Sequence, residues 1–246
     1  MALVFFFIIM IYLIISSVKS IIENFSDKNE YKGVCAFDID GTALNGSNNA
    51  CVYKGKKYDE KNGGCTLAAI NACKDKGFAI GVNTASFRDK DTFCCEVGMC
   101  SKGKKGDCLV KEKNWWNNDK YSAKKEKCGS NHGGCGKAYI MKKLYQSNNV
   151  ANPRDAILWD DYHPNISAVF SSGWGVIPMQ NLKKCKSVIA NDNNDIGIQQ
   201  SQIDSFLNQE YKKWKPCRNF LTTDCSKQSC SRSTWYNQFF DPDHSF

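Results

Sequence analysis

The chain of 246 residues has an ordinary hydrophobic content of 42%, so it suits one globular domain with a full core better than two domains. Lysine and arginine outnumber the acids by 33 to 25, and the net charge of +8 favours anionic partners without choosing among phosphoesters, nucleic acid and membrane surfaces. No segment has the pattern of a nucleic-acid-binding motif, so we predict no nucleic-acid partner.

The first 20 residues differ from the rest of the chain. Residues 2–15 are apolar or aromatic without interruption, and small or polar residues follow up to Ser20. This run is short for a membrane span but has the length of the hydrophobic part of a secretory signal, although no basic residue precedes it. We predict a signal peptide at 1–20 and a secreted protein without stable membrane association. An uncleaved anchor at 2–18 is the alternative.

All 14 cysteines follow residue 20, which predicts disulfides formed in an oxidising compartment. Zinc is the weaker alternative for the cysteines between 87 and 136, because no regular Cys-x-x-Cys pair occurs there. Cys35 falls inside a predicted strand and is a candidate for a buried free thiol, which would leave one of the other thirteen unpaired.

Strand and helix patterns alternate along the chain. Short apolar runs predict strands at 34–37, 78–82, 156–159 and 175–179. Apolar residues at helical spacing predict helices at 65–76, 136–145, 165–172 and 199–214. Residues 43–64 are rich in Asn, Gly and Lys and predict a loop or small hairpin. Because a strand, a helix and a second strand form a crossover unit, we predict an α/β fold with a doubly wound parallel sheet of four strands.

Two cysteine-rich segments interrupt or follow this alternation. Residues 87–136 predict a disulfide-stapled insertion, in which we expect Trp115 and Trp116 to form a hydrophobic plug between disulfides more readily than to grip a ligand. Its lysines either steer anionic substrates, if the insertion covers a site, or form a solvated surface. The extension at 181–246 carries further cysteines that we expect to staple it: Cys217, Cys225 and Cys230.

Two acids separated by one apolar residue, Asp38 and Asp40, follow the first strand and precede Gly41. Ligands of open α/β sheets bind beyond the carboxyl ends of the strands, where a glycine gives the backbone its freedom to turn. Two carboxylates on one turn can face one reacting group or one cation, and a divalent metal offsets their repulsion.

Polar residues follow other predicted strands as well. Asp160 and Asp161 come directly after a buried strand, where paired carboxylates are poor structural choices unless a cation or donor meets them. Thr84 follows the strand at 78–82, although a threonine there is more often only a turn residue. Lys137 lies near the start of a helix, and Lys142 and Lys143 are alternatives to it in a lysine-rich chain.

These four motifs, in this order, resemble those of the haloacid dehalogenase superfamily: an apolar strand followed by Asp-x-Asp-Gly-Thr, a strand ending in threonine, a lysine at a helix start, and a strand ending in paired acids. The resemblance covers about residues 33–180 and implies a Rossmann-like core within a single domain at 21–246. The insertion and the extension lie outside it. Ser86 departs from the superfamily pattern, because many members carry arginine two residues after the threonine of the second motif.

The resemblance implies a phosphatase, a hydrolase of phosphoric monoesters. Asp38 would attack phosphorus and form an aspartyl-phosphate, and Asp40 would protonate the leaving oxygen and later activate water. Thr84 and Lys137 would bind the phosphoryl group of the phosphorylated substrate.

The resemblance also implies a Mg²⁺ cofactor. Asp38, Asp160 and the backbone carbonyl of Asp40 would hold the ion, while Asp161 would ligate through water or orient Lys137.

Two other functions remain open at this stage: a phosphotransferase, and a catalytically silent binding or structural protein on the same scaffold. The sequence does not determine the phosphoester. Asn-x-Ser tripeptides begin at Asn24, Asn45 and Asn165, and we expect a glycan only at Asn24, because the other two fall near the proposed site.

Overall fold

A parallel sheet organises the computed structural model, which describes residues 31–100, 108–117, 134–179 and 196–213. In chain order the elements are β1 (Gly33–Phe37), α1 (Leu44–Ser47), β2 (Cys51–Tyr53), β3 (Lys56–Tyr58), α2 (Gly64–Asp75), β4 (Phe78–Asn83), α3 (Lys90–Glu96), β5 (Trp115–Trp116), α4 (Gly134–Ser147), β6 (Ala156–Asp160), α5 (His163–Ser171), β7 (Gly175–Pro178) and α6 (Gln200–Leu207). The five-stranded sheet has the order β5-β4-β1-β6-β7, and each neighbouring pair is parallel. Strands β2 and β3 form a separate antiparallel hairpin.

Strand β1 is the centre of the sheet and is buried on both faces. Its side chains alternate: Cys35 and Phe37 join one apolar cluster, and Val34 and Ala36 join the other. Helices α2 and α6 contribute to the first cluster, and α4 and α5 to the second. Helices therefore cover both faces of the parallel sheet, as the alternation of elements predicts.

The sequence predictions of the α/β class, of the four strands and of a hairpin within 43–64 are confirmed. The sheet has a fifth strand, however, which was not predicted and lies at Trp115 and Trp116; Trp115 is buried in the apolar core, as a hydrophobic plug would be. These residues form β5, which pairs with Val82 and Asn83 of β4. Two residues are too few to show a strand pattern. Contacts with neighbouring side chains decide their conformation. The ring of Phe93, for example, lies 5.7 Å from that of Trp115.

The C-terminal helix is shorter than the predicted 199–214. Helix α6 ends at Leu207, Gln209 has a φ of +56°, and a separate 3₁₀ turn follows at Glu210–Lys212. Tyr211 in this turn is still buried, and its hydroxyl donates a hydrogen bond of 2.8 Å to Asp155. One apolar face thus spans the break, which explains why the apolar spacing predicted a continuous helix.

Disulfides join cysteines from several elements. The pairs are Cys35–Cys73, Cys51–Cys65, Cys94–Cys108 and Cys95–Cys100. The prediction that Cys35 is a free thiol is therefore wrong, because its side chain faces α2 and bonds to Cys73. Disulfides of this number indicate an oxidising compartment. The signal or anchor at 1–20, the glycan at Asn24 and the stapling of Cys217, Cys225 and Cys230 lie outside the described residues.

None of the helices within these four described ranges has both the length and the apolar character needed to cross a membrane.

The Cys35–Cys73 disulfide links the central strand to α2 across 38 residues. We expect Cys35→Ala with Cys73→Ala to lower the free energy of unfolding by about 2–4 kcal/mol, because the open chain gains entropy when unfolded. The matched control is Cys95→Ala with Cys100→Ala, which opens a loop of only 5 residues and should cost roughly half as much. Denaturant unfolding of the oxidised proteins measures both, and equal losses would contradict the prediction.

Candidate functional site

The turn after β1 places Asp38 at the carboxyl edge of the sheet. The side chain of Asp38 is largely buried, and its Oδ1 accepts a hydrogen bond of 2.9 Å from the amide of Ile39. Its own amide donates to the carbonyl of Trp159 on β6, at 2.9 Å. Ile39–Ala43 forms one wide helical turn, within which Asp40 and Gly41 leave helical geometry. Asp38 is therefore held by both its backbone and its side chain.

A segment distant in sequence holds the same turn from outside. The amides of Gly197 and Ile198 donate to the carbonyls of Gly41 and Thr42, each at 3.2 Å. The hydroxyl of Thr66, near the start of α2, donates to the carbonyl of Ala43. The carbonyls of a non-repetitive buried turn need such partners, so these contacts stabilise its shape.

Gly41 and Thr42 bring the turn against Asp161. Gly41 has a φ of +70°, and a Cβ atom at this position would overlap the carboxylate of Asp161. The hydroxyl of Thr42 donates to Asp161 Oδ1 at 3.0 Å. The close approach of Asp161 to the turn therefore requires a glycine at position 41.

Asp160, the last residue of β6, is fully buried. Its carboxylate accepts hydrogen bonds from the amide of Tyr162 at 2.8 Å and from the side-chain amide of Asn165 at 3.1 and 3.2 Å. Asn165, one of the two Asn-x-Ser asparagines expected to fall near the site, therefore contacts the site directly. These donors fix the orientation of the Asp160 carboxylate.

Lys137 is the buried cation of the site. It lies in the first turn of α4 with 3% of its surface exposed, and its Nζ is 2.9 Å from Asp38 Oδ1 and 3.1 Å from Asp160 Oδ2. Nζ also donates to the carbonyl of Asn83 at 2.6 Å, and the Asn83 side chain donates back to the Lys137 carbonyl at 2.9 Å. The alternatives Lys142 and Lys143 are half-buried elsewhere on α4.

Burial and charge act in opposite directions on the pKa values here. Burial alone would lower the pKa of Lys137, but the carboxylates of Asp160 and Asp38 outweigh it and raise that pKa above its ordinary value. Burial raises the pKa of Asp160. The positive charge of Lys137 offsets this rise only in part, and the negative charge of Asp38 adds to it. Burial and the negative charge of Asp38 also raise the pKa of Asp161. The site thus holds more negative charge than Lys137 compensates.

Three of these carboxylates form a cluster that fits a divalent cation. Oxygen atoms of Asp38, Asp160 and Asp161 all lie within 4.8 Å of one another. When all three carboxylates are ionised, the ammonium of Lys137 leaves two negative charges uncompensated, and oxygen ligands of this kind suit Mg²⁺. The carboxylate of Asp40 is not part of the cluster and is 65% exposed. This position does not conflict with the resemblance, which implies that only the backbone carbonyl of Asp40 would ligate the metal.

An open pocket of about 540 Å³ adjoins the cluster. Asp38, Asp40, Asp161 and Thr84 all line it. Thr84 is nearly buried, and its Oγ1 accepts a hydrogen bond of 3.1 Å from the amide of Ser86, so its hydroxyl proton can be donated to a ligand. The predicted site residues therefore meet at one edge of the sheet, where parallel strands β1, β4 and β6 end.

Other residues of the site were not predicted as functional. Arg88 lines the pocket, and Asn83 anchors Lys137 to the end of β4. No local signal marks either one, because an arginine in a loop and an asparagine at a strand end are common. Asn83 does have an unusual feature: its buried Oδ1 has no hydrogen-bond partner within the part of the chain that the structure describes.

Comparisons of the chain with protein-family models, curated proteins and solved structures gave no match.

Two glycines with positive φ offer a test of the contact between the turn and Asp161. In Gly41→Ala, the new methyl group would displace the Asp161 carboxylate, so we expect divalent-cation affinity to fall about tenfold or more. In the control Gly173→Ala, φ is +91° but the methyl group meets open space, so we expect a stability loss of about 1 kcal/mol and unchanged cation affinity. Calorimetric Mg²⁺ titration checks both, and equal affinities in the two variants would contradict the prediction.

Lys137→Met would leave the carboxylates of Asp38 and Asp160 buried without a cation. We expect the free energy of unfolding to fall by about 3–5 kcal/mol at neutral pH without divalent cations. The loss should be smaller in an Asp160→Asn background, because one buried charge is already removed. The control is Lys142→Met on the same helix. Denaturant unfolding of the double-mutant cycle measures the coupling, and a loss no larger than that of the control would refute the predicted role.

Proposed function

We propose that the protein is a magnesium-dependent phosphoester hydrolase of the haloacid dehalogenase type, in which Asp38 forms an aspartyl-phosphate. The observation that carries the proposal is the meeting of three carboxylates within 4.8 Å with the ammonium of Lys137, 2.9 Å from Asp38. A parallel α/β sheet with Asp38 after its central strand supports the Rossmann-like core, although such sheets host many activities.

Asp38, Asp160 and Asp161 are the side chains that would hold Mg²⁺. When bound, the ion would neutralise charge on the phosphoryl group and draw it towards Asp38. Lys137 and Asn165 keep the Asp38 and Asp160 carboxylates in place. The chain thus supplies a preorganised set of oxygen ligands.

The geometry of Asp38 suits a nucleophile. Its Oδ1 accepts from Ile39 and Lys137, while among the described residues no donor contacts Oδ2. Oδ2 can therefore attack phosphorus. As the new oxygen–phosphorus bond forms, the bond to the leaving oxygen breaks, and the carboxylic proton of Asp40 passes to that oxygen.

Hydrolysis of the intermediate reverses the role of Asp40. Its carboxylate takes a proton from a water molecule, the water oxygen attacks phosphorus, and the Asp38 carboxylate is released with inorganic phosphate. The exposed position of Asp40 in the pocket gives it access to both substrate and water. Thr84 would donate a hydrogen bond to a phosphoryl oxygen, and the buried charge of Lys137, 2.9 Å from Asp38, would offset negative charge that accumulates in the transition state.

The disulfides support passage through an oxidising compartment. We propose that residues 1–20 direct the chain into the secretory pathway. Sequencing the amino terminus of the mature protein tests this, because cleavage near residue 20 removes the segment.

The test of the activity is hydrolysis of p-nitrophenyl phosphate by the oxidised protein, with Mg²⁺ and with a chelator. We expect magnesium-dependent turnover that Asp38→Asn lowers by about 10³-fold or more, because the nucleophile is lost. The control is Asp204→Asn, an exposed acid on α6. Acid-quenched enzyme should carry an acyl-phosphate on Asp38.

Two outcomes lead to the other functions. Transfer of phosphate to added glycerol in preference to water would indicate a phosphotransferase. A folded wild type as inert as Asp38→Asn on a panel of natural phosphoesters would refute the enzyme and favour a binding or structural protein.

A further inference from the structure

Arg88 brings a positive charge to the wall of the pocket. It lies in the loop between β4 and α3, at the start of the cysteine-rich insertion. Among the described residues that line the pocket, Arg88 is the one with a cationic side chain; the others are acidic, uncharged polar, aromatic or apolar residues. The lysine of the site, Lys137, is buried below the carboxylates, so Arg88 offers a separate contact for a ligand.

The guanidinium of Arg88 is held on one side by Glu96. Its Nη1 lies 2.9 Å from each carboxylate oxygen of Glu96, the last residue of α3. The Arg88 carbonyl accepts a hydrogen bond of 3.1 Å from the side chain of Asn117, which follows β5. Helix α3 itself carries two disulfide-bonded cysteines, Cys94 and Cys95. The Arg88 side chain is therefore preorganised, so ligand binding would not have to offset the entropic cost of ordering it.

The other side of the guanidinium faces the pocket. Its Nε is 3.9 Å from Asp40 Oδ1, which is beyond hydrogen-bond length. Among the described residues, nothing accepts a hydrogen bond from Nε or Nη2. These two nitrogens form the edge with which arginine binds a carboxylate or phosphate through two parallel hydrogen bonds.

The position next to Asp40 indicates which part of a substrate Arg88 would meet. Asp40 is the residue proposed to protonate the leaving oxygen, whereas Thr84, which also lines the pocket, is proposed to contact the transferred phosphoryl group. A group 3.9 Å from the Asp40 carboxylate therefore adjoins the leaving group. We propose that Arg88 binds a second anionic group there, and that the preferred substrates are phosphomonoesters whose leaving group carries a carboxylate or a second phosphate. This inference rests on the proposed phosphoester hydrolysis.

The test compares three aryl substrates at saturating Mg²⁺: phenyl phosphate, 3-carboxyphenyl phosphate and 1,3-phenylene bisphosphate. We expect wild type to prefer one or both charged substrates, and the preferred one distinguishes a carboxylate from a phosphate ligand. Arg88→Gln should lower kcat/KM for that substrate by about tenfold to hundredfold, mainly through KM, and for phenyl phosphate by less than about threefold. Arg88→Lys should give an intermediate loss, since it keeps the charge without the planar fork.

Lys76→Gln is the matched control, because Lys76 is an exposed cation after α2, at the opposite edge of the sheet. It should change none of the three rates. Equal losses on all three substrates in Arg88→Gln, or a wild type that prefers phenyl phosphate, would overturn the inference and leave the hydrolase intact. If wild type hydrolyses none of the three while folded and loaded with Mg²⁺, the proposed hydrolysis fails and the inference fails with it.

Discussion

The ammonium of Lys137 holds together the two strand ends on which the candidate site depends. It lies within 3.1 Å of carboxylates from β1 and β6, and its third partner is the carbonyl of Asn83 at the end of β4. Three strands therefore converge on one buried charge. Without that charge, the carboxylates of Asp38 and Asp160 would face each other in a poorly solvated space, where like charges repel strongly. Lys137 makes the arrangement tolerable as a structure, and the arrangement fits the proposal that a cation and an anionic phosphoryl group bind together at this site.

The rest of the fold supports this centre from both sides. The disulfide between Cys35 and Cys73 fastens β1 to α2, and the amides of Gly197 and Ile198 hold the turn that presents Asp38. On the far side, α4 carries Lys137 into contact with the strand ends. Residues far apart in the chain thus together position the Asp38 carboxylate, the proposed nucleophile, as a preorganised site requires.

The cysteine-rich insertion is connected to the site through its first residues. Strand β5 extends the sheet beside β4, and Asn117 after it binds the Arg88 backbone. The disulfides of α3 stabilise the helix whose Glu96 holds the Arg88 side chain. The described part of the insertion thus adds an edge strand to the sheet and a cationic side chain to the pocket wall.

The sequence by itself determined the α/β alternation and the strand-end acids, because buried strands and amphipathic helices leave local periodic patterns and Asp38, Asp40, Asp160 and Asp161 directly follow such patterns. The resemblance to the superfamily motifs favoured Lys137, near a helix start, over the alternatives Lys142 and Lys143. Only the tertiary structure decided the Cys35–Cys73 pair, strand β5 and the place of Arg88 at the pocket wall. Each of these depends on a contact with a residue distant in sequence or on the packing of a segment too short to have a period of its own, and local patterns hold no information about such contacts.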